Sequence, residues 1–188
     1  MKHKSNQCTT FSVNMKSRKA KKFRTQMHGY WSIRCYDKNG ELKWIDDFEN
    51  MVVNQGLNHL LDVTFHGAVQ VSQWYIGLLA ASPSPQAGWT ATDIASNDFV
   101  NYSESNLQEF VESAPSGQSI TNSANKASFT INANGSSVGG CYLISTNAKS
   151  SPSGILYCAG AFATGNKACD DGDTLQVGVT LSTADDGV

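Results

Sequence analysis

Apolar and polar residues alternate with a period of two through HGYWSIRCYD (28–37), where Trp31, Ile33 and Cys35 interleave with Tyr30, Ser32, Arg34 and Tyr36. A second such run, ELKWI (41–45), follows Lys38-Asn39-Gly40. Asn-Gly between two alternating runs predicts a β-hairpin, because both residues accept the positive φ of a type I′ turn. The period then changes. In 54–65, Leu57, Leu60, Leu61 and Phe65 fall at the spacing of one helical face, with Asn54 placed to cap the helix and Gly67 to end it.

Beyond the helix the chain returns to strands. QWYIGLLA (73–80) is almost wholly apolar and reads as a central strand stopped by Ser82-Pro83-Ser84-Pro85. Residues 86–104 read as a long excursion with one helical turn near Thr92 to Ala95. Strand-like runs follow at 107–113, 126–133, 137–145, 154–163 and 173–181, each bounded by Gly, Pro, Asn or Ser. Two of them give a buried face outright: Ala127, Phe129 and Ile131 in one, and Leu175, Val177, Val179 and Leu181 in the other. The pattern predicts an all-β fold, an antiparallel β-sandwich or jelly-roll-like body over residues 26–188 with one short helix.

Residues 1–25 break the pattern, holding after Met1 only Cys8, Phe11, Val13, Met15, Ala20 and Phe23 as apolar groups. They read as an extended basic arm, disordered when alone. The charge distribution sharpens that division. Residues 1–34 hold nine Lys or Arg and no Asp or Glu, and residues 35–188 hold five basic and sixteen acidic residues, so +9 and −11 give the net −2. Lys16, Arg18, Lys19, Lys21, Lys22 and Arg24 place six cations in nine residues around Phe23. Such an arm suits an acidic partner, which the composition leaves open as nucleic acid, an anionic membrane surface or an acidic protein surface.

Catalytic chemistry finds few candidates. The only histidines are His3, His28, His59 and His66, and there is no Gly-x-Ser-x-Gly elbow. His59, Asp62 and His66 lie on or just after the helix and read as surface or packing residues rather than a metal set. Asp170-Asp171-Gly172-Asp173 reads as a tight turn feeding the last strand rather than a calcium loop. Among Glu104, Glu109 and Glu112, the last two are three apart and in a strand would point to opposite faces. No phosphate loop is present, so no cofactor and no enzymatic activity are expected. The five cysteines include no C-x-x-C pair, Cys141, Cys158 and Cys169 read as core, and no disulfide framework is expected. The first residues lack the apolar stretch of a secretory signal and no run is long enough to span a membrane, which fits assembly in a reducing cytoplasm.

The order of these pieces resembles a known group. Gly29 and Trp31, Asp37 and Gly40, then Asn50, Val52, Asn54, Gly56, Leu57, Asn58, Leu60 and Leu61, then Trp74, Tyr75, Gly77 and Leu78 resemble phage virion proteins encoded near the major capsid protein. The stretch SITNSANKASFTINANGSSVGGCYLIS, with FATGNKACDDGDTLQV, is similar to the same group, so the resemblance spans about residues 28–181. It implies a head decoration, or cement, protein of a tailed phage, with a β-sandwich or jelly-roll body clamped on the outer capsid surface. The major capsid protein is then the expected partner, and a dimer or trimer on the capsid the expected assembly, with no membrane and no nucleic-acid role. The arm is not part of the resemblance. Its six cations are expected to make ionic contact with the capsid, with Phe11 and Phe23 as apolar pegs. The alternative is a tail or fibre module that binds a host glycan through Trp89 and Tyr102, or binds another virion protein.

Overall fold

The computed structural model describes residues 26–184. In chain order the elements are β1 (Gln26–Tyr36), β2 (Leu42–Glu49), β3 (Met51–Val52), α1 (Asn54–Leu61), a π-helical turn (Asp62–His66), β4 (Tyr75–Ala80) and α2 (Ala91–Asn97). They continue as β5 (Gln108–Glu109), β6 (Ser119–Thr121), β7 (Ala127–Thr130), β8 (Ser136–Ile144), β9 (Leu156–Ala161), β10 (Lys167–Cys169) and β11 (Thr174–Ala184).

The first and last strands pair along their whole length, antiparallel, with Gln26 opposite Ala184 and Tyr36 opposite Thr174. β2 lies on the other side of β1, while β6 and β7 share the free side of β11. The second sheet runs β3-β9-β8-β4-β5, and β10 pairs with the start of β8. Period-two alternation aims Trp31, Ile33, Cys35, Val177 and Val179 of the first sheet at Ile76, Leu78, Cys141 and Leu143 of the second, in one core. The fold is the expected antiparallel β-sandwich.

The second sheet is buried on both faces. Tyr142, Ile144, Leu79, Leu156 and Ala159 on its outer side pack with Ala91 and Ile94 of α2 and with Leu107. This explains why β4 and β8 read as nearly continuous apolar runs. It also corrects the excursion: Thr92 to Ala95 is part of a seven-residue helix, started by a capping box in which Thr90 and Asp93 satisfy each other's backbone N–H groups. The body therefore carries two short helices, not one.

Other boundaries move for identifiable reasons. The 28–45 hairpin forms, but its turn is not type I′. Only Gly40 in the turn has positive φ, at +84°. The Asp37 carboxylate accepts from the Asn39 and Glu41 N–H groups at 2.8 Å each, and the Gly40 N–H reaches the Asp37 carbonyl at 2.9 Å. That is the longer hairpin loop with a glycine in the left-handed position, and Asn39 is spared it. The 107–113 run is a strand only at Gln108–Glu109, because β4 offers just Tyr75 and Ile76 as partners there.

α1 starts one residue earlier than a cap at Asn54 would place it. Val53 is the N-cap and no side chain caps it. Gly67 does end the helical segment, at φ +79°, after five π-helical residues. Gly56, the one buried residue of α1, fixes the helix on β9: an added Cβ there would sit 2.4 Å from the Tyr157 carbonyl oxygen and 2.8 Å from its Cα. Gly56→Ala is expected to lever α1 off the sheet and cost about 1–3 kcal/mol in urea unfolding. Gly88→Ala, with nothing within 4 Å of the added Cβ, is expected to change stability by less than about 0.5 kcal/mol.

Candidate functional site

The eight arm residues singled out above, Lys16, Arg18, Lys19, Lys21, Lys22, Arg24, Phe11 and Phe23, lie outside the described residues. The structure does fix where the arm joins the body. Gln26 opens β1 beside Ala184, and three residues on Gly29 stands opposite Leu181, which in turn stands opposite Ile120 of β6. This end of the sandwich carries the unusual surface of the molecule.

An amphipathic helix ordinarily buries its apolar stripe. Here the stripe faces outward. Leu57, Leu61 and Phe65 are 37%, 55% and 82% exposed, and Val69, just past the helical segment, is 89% exposed. The tight seat of Gly56 explains the orientation, since the face that touches β9 must be the one without side chains. The π-helical turn carries Phe65 outward with Thr64 bonded back to the Leu60 carbonyl at 2.7 Å. A continuous row of exposed apolar side chains marks an interaction face.

Behind that ridge the two sheets part around a cavity of about 280 Å³. Its apolar wall is formed by Leu60, Val63, Trp74, Phe110, Leu143 and Leu181, and its rim includes His59, Gln73, Glu109 and Glu112. His59 stacks edge-on against Trp74, and Trp74 against Tyr157. Glu109 and Glu112 thus share one rim, contrary to the opposite faces expected of a strand. β5 ends at Glu109, so the alternation that separates them stops before Glu112. Glu109 accepts from Gln73 at 3.2 Å, and among the described residues neither carboxylate has a Lys or Arg partner. Burial pushes the Tyr157 phenol up to about 12, which keeps it protonated at the cavity's edge.

The other reactive groups are bound into the frame. Cys35, Cys141, Cys158 and Cys169 are buried and free. A hydrogen bond with Cys169 and burial push the Cys35 thiol far up, and burial does the same for Cys141 and Cys158, which keeps these three as thiols. The 170–173 segment is the expected turn, with Gly172 at φ +85°. The buried Asp173 carboxylate takes the Asp170 N–H at 2.8 Å and Lys43 Nζ at 2.6 Å. His66 meets Asp62 at 3.4 Å on an exposed surface, and no group of three or more metal-ligating side chains occurs among the described residues.

The aromatic platform of the glycan alternative does not form. Tyr102 is 2% exposed, edge-on to Phe129 with Lys149 Nζ 3.6 Å from its ring centroid. Trp89 is half-buried against the outer core. Alternation in sequence says nothing about a loop residue such as Tyr102, whose single bridge to Ile131 draws it inside.

No family model matches this chain, and no curated protein and no solved structure matches it either.

Two electrostatic outcomes follow from the geometry. Asp98 accepts from Tyr142 Oη and the Ser150 N–H, both at 2.7 Å, yet burial dominates and holds its carboxyl above the ordinary value. The folded state therefore keeps this proton more tightly than the unfolded chain. Stability from Asp98 is greatest below the unfolded value near 3.8 and falls as pH rises toward the folded one. Urea titrations at several pH values from about 3.5 to 7 should show wild type losing stability relative to Asp98→Asn as pH rises. Lys43→Ala should remove the ion-pair partner of the buried Asp173 carboxylate, costing about 2–4 kcal/mol in the same assay.

Proposed function

We propose that this is a non-enzymatic decoration protein of a tailed-phage head, which binds the outer capsid surface and strengthens contacts between major capsid protein subunits. The observation that carries the reading is the division of the chain into a basic arm and an acidic sandwich whose arm end also bears an exposed apolar ridge. The resemblance of residues 28–181 to virion proteins encoded near the major capsid protein supports it.

A protein with this task needs a rigid body and a wide, adhesive contact rather than a reaction centre. The arm's six cations between Lys16 and Arg24, with Phe11, run along acidic capsid surface and spread contact beyond the footprint of the body. The ridge of Leu57, Leu61, Phe65 and Val69 meets the same neighbour, because it stands at the end from which the arm leaves. Binding that favours the assembled shell over free subunits stabilises the shell by mass action. The alternative, a tail or fibre module for a host glycan, is disfavoured by the burial of Tyr102.

Changing all six arm cations to Gln is expected to lower capsid occupancy and flatten its dependence on salt. Cosedimentation with expanded capsids across a salt series measures both, and full occupancy at every salt concentration would rule the arm out as the ionic contact. Phe65→Glu should reduce occupancy at least several-fold while leaving the melting temperature within about 1 °C, since its ring is already in solvent.

A further inference from the structure

We propose that the cavity behind the ridge is a binding site for a small organic cation, an ammonium or guanidinium group carried on an apolar or aromatic body. Both sheets supply its walls, where Trp74, Phe110, Leu143 and Leu181 present apolar surface and Leu60 closes one side. At about 280 Å³ it holds one ring with a short chain, since roughly 150 Å³ of apolar lining admits benzene. Its mouth is acidic. No Lys or Arg lines the cavity, and Glu109 and Glu112 stand exposed at its rim. A ligand that seats its body on the aromatic wall therefore leaves its polar end beside carboxylates, and a positive charge satisfies them.

The frame holds these groups in place. Trp74 is half-buried and braced edge-on by His59 and Tyr157, with ring centroids 5.8 and 5.5 Å away. The Phe110 N–H donates to the Trp74 carbonyl at 2.8 Å, and the Ser113 N–H to the Thr121 carbonyl of β6 at 2.9 Å. The strip that carries both carboxylates is thus tied at one end beside β4 and at the other to the first sheet. A polar relay orients Glu109: Tyr75 Oη donates to Gln73 Oε1 at 3.0 Å, and Gln73 Nε2 donates to Glu109 Oε1 at 3.2 Å. Among the described residues nothing donates to Glu109 Oε2, which is left to accept from a bound ammonium or guanidinium group. Neither Glu109 nor Glu112 has a Lys or Arg partner among the described residues, so their charge draws a cation and repels an anion of the same shape. The aromatic wall adds cation–π attraction. Filling the cavity also restores contacts to walls that have none across the gap.

This site acts in the free protein, so its test involves no capsid and fails or succeeds separately from the capsid reading. Three probes with one phenylethyl body, 2-phenylethylammonium, 2-phenylethanol and 3-phenylpropionate, are titrated into the full-length chain. The readout is the Trp74 indole N–H signal in nitrogen-15 NMR spectra, assigned with Trp74→Phe. The ammonium is expected to shift that signal and to bind about tenfold tighter than the carboxylate, the scale of a charge-assisted hydrogen bond, with the alcohol between them. Changing Glu109 and Glu112 together to Gln should bring the three affinities within about twofold of one another and leave that of the alcohol unchanged, which also reports that the cavity is intact. A Trp74 signal that none of the probes moves would overturn the site. Equal affinities for ammonium and carboxylate in the wild type, or a preference that survives the double change, would overturn the assignment of a cationic ligand.

Discussion

The pairing of the first strand with the last is the constraint on which the rest of this structure depends. β1 and β11 run antiparallel over eleven residues each, and their inward residues form the floor of one sheet. All other strands of that sheet add to this ribbon, so nothing in it is complete until the two ends of the described residues meet. Such non-local pairing is costly in chain entropy and is repaid only by the burial that follows. It also fixes where residues 1–25 join the body, because Gln26 opens β1 opposite Ala184 of β11.

The second sheet is stabilised differently. It is sandwiched between the first sheet and a layer made by α2 and the segment around it, so that its strands bury both faces. Small residues make room where large ones cross. Gly77 stands opposite Tyr142, and an added Cβ would lie 2.1 Å from the phenol ring, so the ring lies over the glycine and reaches Asp98. Two buried polar side chains tie the frame together: Asp46 accepts from Thr164, Lys167 and the Ala163 N–H, and Asn122 binds β11 from both ends of its amide. Among the described residues, Asp46, Asp98, Asp173 and the four buried cysteines belong to the frame, and the exposed ridge with the cavity behind it is the surface left open for contact.

Much of this was legible in the chain. The alternation of Trp31, Ile33 and Cys35, and of Leu175 through Leu181, was enough to name two strands and their buried faces. The apolar run around Ile76 named a buried central strand, and the run around Cys141 named a strand without telling that both its faces are covered. β3, β6 and β10 were not legible, because elements of two or three residues have no period to read. The helix was legible but its orientation was not. The spacing of Leu57, Leu61 and Phe65 says that they share a face, and only the contact of Gly56 with Tyr157 decides that this face looks outward. The shared rim of Glu109 and Glu112 was hidden for the opposite reason: the rule of alternation was applied beyond the point where the strand stops.

The proposed role stands most directly on stoichiometric attachment to a shell. Full-length protein and a chain lacking residues 1–25 should be titrated onto capsids of the major capsid protein from the same virus, and the bound copies per capsid counted. The account predicts saturation of the full-length protein at a fixed number of copies set by the capsid lattice, with the shortened chain binding more weakly at the same sites. Absence of saturable binding by either chain, on intact and expanded shells alike, would contradict it.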